Sequence, residues 1–179
     1  PIGDLKLNFT YPEGELSDYH HELDLTTATN TVTYKVGDTE YTRQCIASNP
    51  DDVIAMHIKA SRPESITVEL ELQLLRNAEV VASGNQLIYT GNAEFEKHGR
   101  GGVLFEGRIA AEIKGGTIKA DGKKLLIDKA TEVLLLSDVR TNYKNTTFAG
   151  YDYQQKCKET IEAASKKSFK TLRNTHVED

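Results

Sequence analysis

Carboxylates stand close together at two places in the chain, where such a pair could act as a general acid and a general base. Glu69 and Glu71 alternate along one predicted strand, about 7 Å apart by strand geometry. Asp51 and Asp52 are adjacent in a segment that is typical of a turn. We interpret the first pair as part of a solvated strand face and the second as turn residues, so neither pair predicts a catalytic residue.

Histidines and cysteines do not occur at the spacing of a metal site. His20 and His21 are neighbours, and neighbouring residues of a strand point to opposite sides of a sheet. His57 lies in an alternating run, which favours a histidine satisfied within a sheet. Cys45 and Cys157 fall in a strand-like and a helix-like segment, which favours two buried thiols over a disulfide. We therefore expect no metal and no cofactor.

Aromatic residues could form the flat platform on which sugar-binding modules hold their ligands. The chain has no tryptophan and eight tyrosines. Tyr89, Tyr143 and Tyr151 lie in or near predicted loops, and we take them as candidates for weak sugar contacts. The alternative for each is packing in the core or at a sheet edge.

Short strands, from residue 5 to about residue 143, are the elements that must position these side chains. The segment TNTVTYKVGDTEYTRQCIAS alternates on both sides of Gly37-Asp38, which predicts a hairpin with Val36 opposite Thr39 and Tyr34 opposite Tyr41. The segment ITVELELQL also alternates strictly, with its aliphatic residues turned inward. Many strands at short spacing, without helices between them, predict an antiparallel β-sandwich.

Helical periodicity begins near residue 150, where Asp152 is a candidate N-cap with Gln155 three residues on. Two apolar stripes follow, displaced by roughly 100° on one helical wheel. The first stripe consists of Tyr153, Cys157, Ile161 and Ala164, and the second of Phe169, Leu172 and His176. Either the helix breaks near residues 165–168, or its two halves face different partners.

Length and charge restrict the fold and the partners. The 179 residues suit one domain or one domain with an appendage, and we expect a β-sandwich domain over residues 1–150 and a helical linker over residues 151–179. The fold class is thus mainly β, an antiparallel sandwich followed by a C-terminal linker helix or helix pair. A net charge of −5 gives no electrostatic support for a nucleic-acid or an anionic-membrane partner.

Four segments of the chain resemble the N-terminal domain of glycoside hydrolase family 95, the α-L-fucosidase family. PIGDLKLNF resembles its opening strand, and YHHELDLTTATNTVTYKVGDTEYTRQCIASNPDDVIAMHI resembles its LDL segment and hairpin. GVLFEGRIAAEIKGGTIKADGKKLLIDKATEVLLLSDVRTNY is similar to the strands that follow, and SFKTLRNTHVED to its linker helix. The segments occur in the order and near the spacing of the family, which implies a sandwich of the super-sandwich type.

The resemblance implies a non-catalytic structural domain whose partner is the catalytic (α/α)6 barrel of its own parent protein. The family's catalytic residues lie in that barrel, which we interpret as absent from this chain, so no catalytic residue carries over. The resemblance also implies an extracellular or periplasmic parent, and fucosylated glycans as weak ligands. The alternative function is an autonomous carbohydrate-binding module. We expect Phe169 and Leu172 to face the barrel, and residues after Ser168 to fray without it.

Overall fold

The structure, a computed structural model, describes residues 2–75, 78–93, 102–143 and 151–179. Within these ranges the chain forms twelve strands followed by two helices. They are β1 (Gly3–Thr10), β2 (Leu16–Asp24), β3 (Thr29–Val36), β4 (Thr39–Ser48), β5 (Val53–Ala60), β6 (Ile66–Leu74), β7 (Ala78–Ser83), β8 (Gln86–Ala93), β9 (Val103–Lys114), β10 (Thr117–Asp121), β11 (Lys124–Ala130), β12 (Glu132–Thr141), α1 (Tyr153–Ala164) and α2 (Phe169–Glu178).

The strands form two sheets in which neighbouring strands are antiparallel. The small sheet has the order β1-β6-β11-β10, and the large sheet has the order β2-β3-β4-β5-β12-β9-β8-β7. The inner faces of the two sheets pack on each other around one apolar core. The predicted mainly β sandwich is therefore confirmed.

The hairpin of β3 and β4 has the predicted register. Val36 pairs with Thr39 and Tyr34 pairs with Tyr41 across the two strands. Gly37 has a φ of +55°, which a glycine adopts without the steric cost of a side chain. The rings of Tyr34 and Tyr41 stack at 5.3 Å between centroids, and both are buried. The turn thus brings two aromatic side chains together at the inner face of the large sheet.

Strand β6 lies in the middle of the small sheet, between β1 and β11. Its residues Ile66, Val68 and Leu70 are at most 2% exposed and belong to the core. The intervening Glu69 and Glu71 lie on the opposite face, where their side chains are partly exposed. The predicted alternation is confirmed, because one face of this strand meets the large sheet and the other meets solvent.

The two helices follow the last strand and contact the large sheet. α1 ends with Ser165 as its C-cap, and α2 begins after Ser168, whose extended backbone and side chain form an N-cap. Of the two alternatives left by the sequence, the break near residues 165–168 is therefore correct. Neither of these helices is long and apolar enough to cross a membrane.

Candidate functional site on the helix-covered face of the large sheet

The large sheet carries an apolar patch at the centre of its outer face, the face turned away from the small sheet. The patch comes from the adjacent strands β4, β5, β12 and β9. Its members are Ile46, Val53, Ala55, Leu134, Leu136 and Ala110. Ile46, Ala55, Leu136 and Ala110 form one row across the four strands. An exposed patch of this kind would need a partner, and here the two helices cover it.

Helix α1 covers the β12 and β9 side of this patch. The carboxylate of Asp152 accepts hydrogen bonds from the backbone amides of residues 154 and 155 and so caps the helix, as predicted. Cys157, Ile161 and Ala164 are at most 2% exposed, so the first predicted stripe does pack on the sandwich. Cys45 and Cys157 are free thiols, and burial raises the pKa of Cys157 to about 12.

Helix α2 covers the β4 and β5 side of the patch, contrary to the expectation from the sequence. Phe169 is 8% exposed and Leu172 is fully buried. The ring of Phe169 stacks on His57 of β5 at 4.9 Å between centroids. Burying each such side chain contributes roughly 1.5–3 kcal/mol. The expectation that Phe169 and Leu172 face another domain is wrong, because the break before Ser168 turns the second stripe onto the same sheet.

Asp51, in the turn between β4 and β5, connects this turn to α2. Its carboxylate accepts hydrogen bonds from Ser48 at 2.8 Å, from Thr175 at 3.0 Å and from Lys167. Burial alone would raise the pKa of this carboxyl, but the three hydrogen bonds and the charge of Lys167 outweigh burial and lower it. Nearby, Asn49 donates to the Asp179 side chain at 3.1 Å. The turn therefore holds both ends of the second helix.

The Asp51→Asn variant tests this connection through the pH dependence of stability. The folded-state pKa of Asp51 lies below its unfolded value, so the ionised carboxylate contributes stability above the unfolded pKa and loses it as pH falls through the folded pKa. The variant should cost about 1–3 kcal/mol at pH 7. Its free energy of unfolding should then fall less steeply than that of the wild type between about pH 5 and pH 2.

The matched control is Asp52→Asn, because Asp52 is the adjacent residue and its side chain is 55% exposed. Its ion pair with Arg140 lies near the surface, so its loss should cost about 1 kcal/mol or less. Urea unfolding at a series of pH values measures both variants. If both variants had the wild-type pH slope, Asp51 would not hold α2.

A second polar feature of the outer face is an ion-pair cluster next to α1. It consists of Glu106 and Arg108 on β9 and Asp138 and Arg140 on β12. Arg108 contacts Glu106 at 2.7 Å, and Arg140 donates to Asp138 at 2.8 Å. Across the strands, Asp138 pairs with Arg108 and Arg140 pairs with Glu106, so charges of opposite sign alternate in both directions. Gln154 of α1 donates to Glu106 at 3.0 Å and closes the cluster from above.

This cluster was not predicted from the sequence, although two carboxylates on one face are what an acid–base site would need. The sequence pattern that could have indicated it is a pair of opposite charges two residues apart within an apolar strand. This pattern occurs in FEGRIAA and again in LLLSDVR. Glu106 and Asp138 are 4% and 9% exposed, and each contacts an arginine. Carboxylates that are buried and paired in this way are closed to a substrate.

Three depressions lie on the surface of the described residues. One of about 630 Å³ lies between α2 and strands β4 and β5, and one of about 450 Å³ lies around Ile54 and Ser137. The third, of about 560 Å³, lies between Thr90, Leu104 and Tyr153. The first has charged residues on both walls, with Lys59 and Glu132 on the sheet and Lys170 and Arg173 on α2.

Comparison with known proteins assigns this architecture to a family. A model for the domain described as "Glycosyl hydrolase family 65, N-terminal domain" matches residues 1–146. The chain belongs to this family. The N-terminal β-sandwich domain of a glycoside hydrolase, expected from the resemblance, is thereby confirmed.

Two curated relatives of this family 65 N-terminal domain are described as fucosidases. Alpha-L-fucosidase 2 of Arabidopsis thaliana is 28% identical over 206 residues, which cover 99% of this chain and 24% of that protein. A probable alpha-fucosidase A of Aspergillus niger is 29% identical over 190 residues, which cover 96% of this chain and 23% of that protein. The chain therefore spans about a quarter of the length of the curated relatives it matches.

A solved structure shows the same fold. It is described as "Putative kojibiose phosphorylase from human microbiome" and matches this chain with a TM-score of 0.66. The match covers 99% of this chain and 27% of the other, and only 13% of the residues are identical. At this identity the likeness shows the fold alone.

Of the two carboxylate pairs noted in the sequence, one borders the ion-pair cluster, where Asp52 contacts Arg140 at 3.2 Å, and the other lies on the small sheet. Asp51 and Asp52 form the turn before β5, as predicted. Glu69 and Glu71 lie on the outward face of the small sheet and contact Lys124 at 2.8 Å and 3.2 Å. The hydrogen bond from Lys124 lowers the pKa of Glu69. These contacts agree with the interpretation of a solvated strand face.

The histidines also occupy structural positions. His20 contacts Glu22 on the exposed strand β2, and the ring of His21 contacts Asn30. His57 contacts Glu132 at 3.3 Å, and burial lowers its pKa more than the neighbouring carboxylate raises it. Among residues 2–75, 78–93, 102–143 and 151–179, no group of three or more potential ligands could hold a metal ion.

The three tyrosines proposed as sugar contacts lie in different environments. Tyr89 is 6% exposed in the middle of β8, so its predicted placement in or near a loop is wrong. A side chain at Gly107 of the neighbouring strand would overlap its ring, and this explains how the ring enters the core. Tyr151 is half-buried just before α1, whereas Tyr143 is 74% exposed. Sugar contact by Tyr143 or Tyr151 stays a prediction.

Proposed function

We propose that this chain is the non-catalytic N-terminal structural domain of a family 95-like α-L-fucosidase, and that it supports a catalytic (α/α)6 barrel in carbohydrate degradation. Two relatives described as fucosidases align with 96% or more of this chain, which supports the fucosidase assignment. Because the aligned region is about a quarter of each relative, each has room for a large second domain.

The burial of Glu106 and Asp138 is the observation that carries the non-catalytic assignment. Hydrolysis of a glycosidic bond requires two carboxyl groups that reach the bond from a substrate-filled cleft. These two carboxylates instead pair with arginines beside α1. The exposed pair Glu69 and Glu71 shares Lys124 on an open sheet face. None of these carboxylates is placed to protonate a leaving group or to activate water.

A supporting role for the domain requires a stiff connection between the sheet and whatever the helices contact. Both helices are fixed to the large sheet by buried apolar side chains, and Asp51 ties the turn before β5 to Lys167 and Thr175. A barrel that packed on the exposed surfaces of α1 and α2 would therefore be oriented by the sandwich. In this way the domain would hold the barrel in a fixed orientation.

Hydrolysis of an aryl α-L-fucoside tests the proposal. We expect no release of the aryl group by this chain alone, and release by the full-length protein at the same molar concentration. Turnover by the chain alone above a heat-killed control, abolished by Glu106→Gln, would overturn the non-catalytic assignment. A full-length protein that cleaves other glycosides but no fucoside would overturn the fucosidase assignment and leave the structural role intact.

A carbohydrate-binding module is the second candidate, and the exposed ring of Tyr143 is the observation that favours it. A single tyrosine offers one face for stacking, whereas a sugar site also has a cluster of polar groups around its aromatic rings. We expect calorimetry to detect no binding of fucose or fucosylated oligosaccharides tighter than about 1 mM. A dissociation constant of about 10 μM, worth roughly 7 kcal/mol, that is lost in Tyr143→Ala would favour the module instead.

A further inference from the structure

The cavity between α2 and the large sheet, which we call the α2 cavity, has features of a binding site. It measures about 630 Å³, which is within the range of small-molecule pockets. Thr42 and Gln44 of β4 line its floor beside His57, and the first two turns of α2 form its wall. Two polar side chains on the floor can donate hydrogen bonds, and the wall carries cations.

Positive charge dominates the α2 cavity, although the chain as a whole has a net charge of −5. Lys59, Lys170 and Arg173 all line it, whereas Glu132 is the one carboxylate among the described residues of its lining. Glu132 is already engaged, because it contacts His57 and Lys114 at 3.3 Å each. Within the part of the chain that the structure describes, none of the three cations forms an ion pair.

Arg173 shows that an acceptor is needed here. Its Nε is buried and has no hydrogen-bond partner among the described residues. A guanidinium carries five N–H donors in a planar fork, which matches the two oxygens of a carboxylate or phosphate. Leaving a buried donor of a charged group without an acceptor is unfavourable, and an oxyanion bound to the guanidinium would offset that cost.

The first turn of α2 increases the positive potential of the cavity. The Ser168 side chain accepts from the amide of Thr171, and its carbonyl accepts from the amide of Leu172. The N-terminus of a helix carries a partial positive charge, and here it adds to the charges of Lys170 and Arg173. The helix N-terminus, the arginine and the lysines thus all contribute positive potential to the same cavity.

We propose that the α2 cavity binds a small acid through its carboxylate or phosphate group, with Arg173 as the principal ligand and Lys59 and Lys170 as supporting charges. The cavity lies on the outer face of the sheet, apart from the buried carboxylates Glu106 and Asp138. Its ligand would tie α2 to strands β4 and β5. This inference does not depend on the fucosidase assignment.

The proposal is tested by titrating this chain at low ionic strength with inorganic phosphate and, separately, with glucuronate. The NMR signals of the arginine Nε–H groups report binding. We expect the Arg173 signal to shift and saturate with a dissociation constant of about 1 mM, and glucose to have no effect. Arg173→Gln should weaken binding by about tenfold or more. Arg62→Gln is the matched control, because Arg62 pairs with Asp38 in an exposed turn and should leave binding unchanged.

Three results would overturn the proposal. The first is the absence of a saturable shift up to about 50 mM, a range in which sites with millimolar dissociation constants fill. The second is equal weakening of binding by Arg173→Gln and Arg62→Gln. The third is binding by this chain that the full-length protein lacks. The last would mean that another part of the protein fills the cavity. Thermal melts confirm folding, and Lys170→Gln, at an exposed residue that also lines the cavity, serves if Arg173→Gln does not fold. Weakening by Lys170→Gln supports the proposal, and unchanged binding contradicts it.

Discussion

Replacing Leu172 by alanine should lower the free energy of unfolding by about 2–5 kcal/mol. Leu172 is fully buried, and with Phe169 it covers the apolar patch formed by β4, β5, β9 and β12. The shorter side chain loses its burial and leaves a cavity that the sheet below cannot close, because neighbouring strands hold their spacing. Urea unfolding of the two proteins measures the difference.

Val177→Ala is the matched control for Leu172→Ala, because Val177 lies in the same helix and is 42% exposed. A partly exposed side chain at a helix end should contribute about 0.5 kcal/mol or less. If Leu172→Ala had as small an effect as the control, α2 would not be packed on the sheet in solution. The helix would then be free to contact another domain, as the sequence had led us to expect.

Glu106→Ala should cost about 3–5 kcal/mol, because it leaves the charge of Arg108 without its partner next to α1. The Glu106 side chain is 5% exposed and that of Arg108 is 16% exposed, so water cannot fully replace the ion pair. The substitution Glu106→Ala also removes the acceptor of the hydrogen bond that Gln154 donates at the start of α1. Thermal or urea unfolding should show the loss.

Two further variants separate the ion pair from the general effect of truncation. Glu79→Ala removes an exposed carboxylate from β7 of the same sheet and should change stability by about 0.5 kcal/mol or less. Glu106→Leu combined with Arg108→Leu removes both charges and should recover most of the loss, since a buried pair can be replaced by apolar groups. A neutral Glu106→Ala would contradict the structural role of the cluster.

Local patterns predicted much of the sandwich. The register of β3 and β4 follows from a two-residue turn between alternating runs, so Tyr34 opposite Tyr41 needed no information from the rest of the chain. The alternation of β6 likewise identified its buried face. The order of the strands within the two sheets could not be predicted in this way, because it depends on contacts between distant segments.

The helix pair shows where sequence periodicity stops being informative. Two apolar stripes indicated which faces of the helices are buried, but they did not indicate what covers them. The chain between Ala164 and Phe169 rotates the second helix so that its stripe meets strands β4 and β5. The direction of such a turn depends on the sheet that both helices contact, and the sequence near residues 165–168 does not contain that information.

The ion-pair cluster was missed for a related reason. Glu106 and Arg108 lie two residues apart, as do Asp138 and Arg140, so each pair lies on one strand face. That these two faces are neighbours follows only from the pairing of β9 with β12, which are separated in the chain by β10 and β11. Tyr89 was wrongly predicted to lie in or near a loop. Its buried position depends on Gly107 of the neighbouring strand, which leaves space for the tyrosine ring.

Hydrogen exchange of the isolated chain at low protein concentration tests most directly the claim that the sandwich and its two helices form one folded unit. The amides of Leu172 to Thr175 should be protected to a degree comparable with those of Ile161 to Ala164, because both segments lie over the same apolar patch. Strand β6, from Ile66 to Leu72, provides the reference for the core. Exchange of the Leu172–Thr175 amides at rates near those of an unfolded chain, with β6 still protected, would contradict the account.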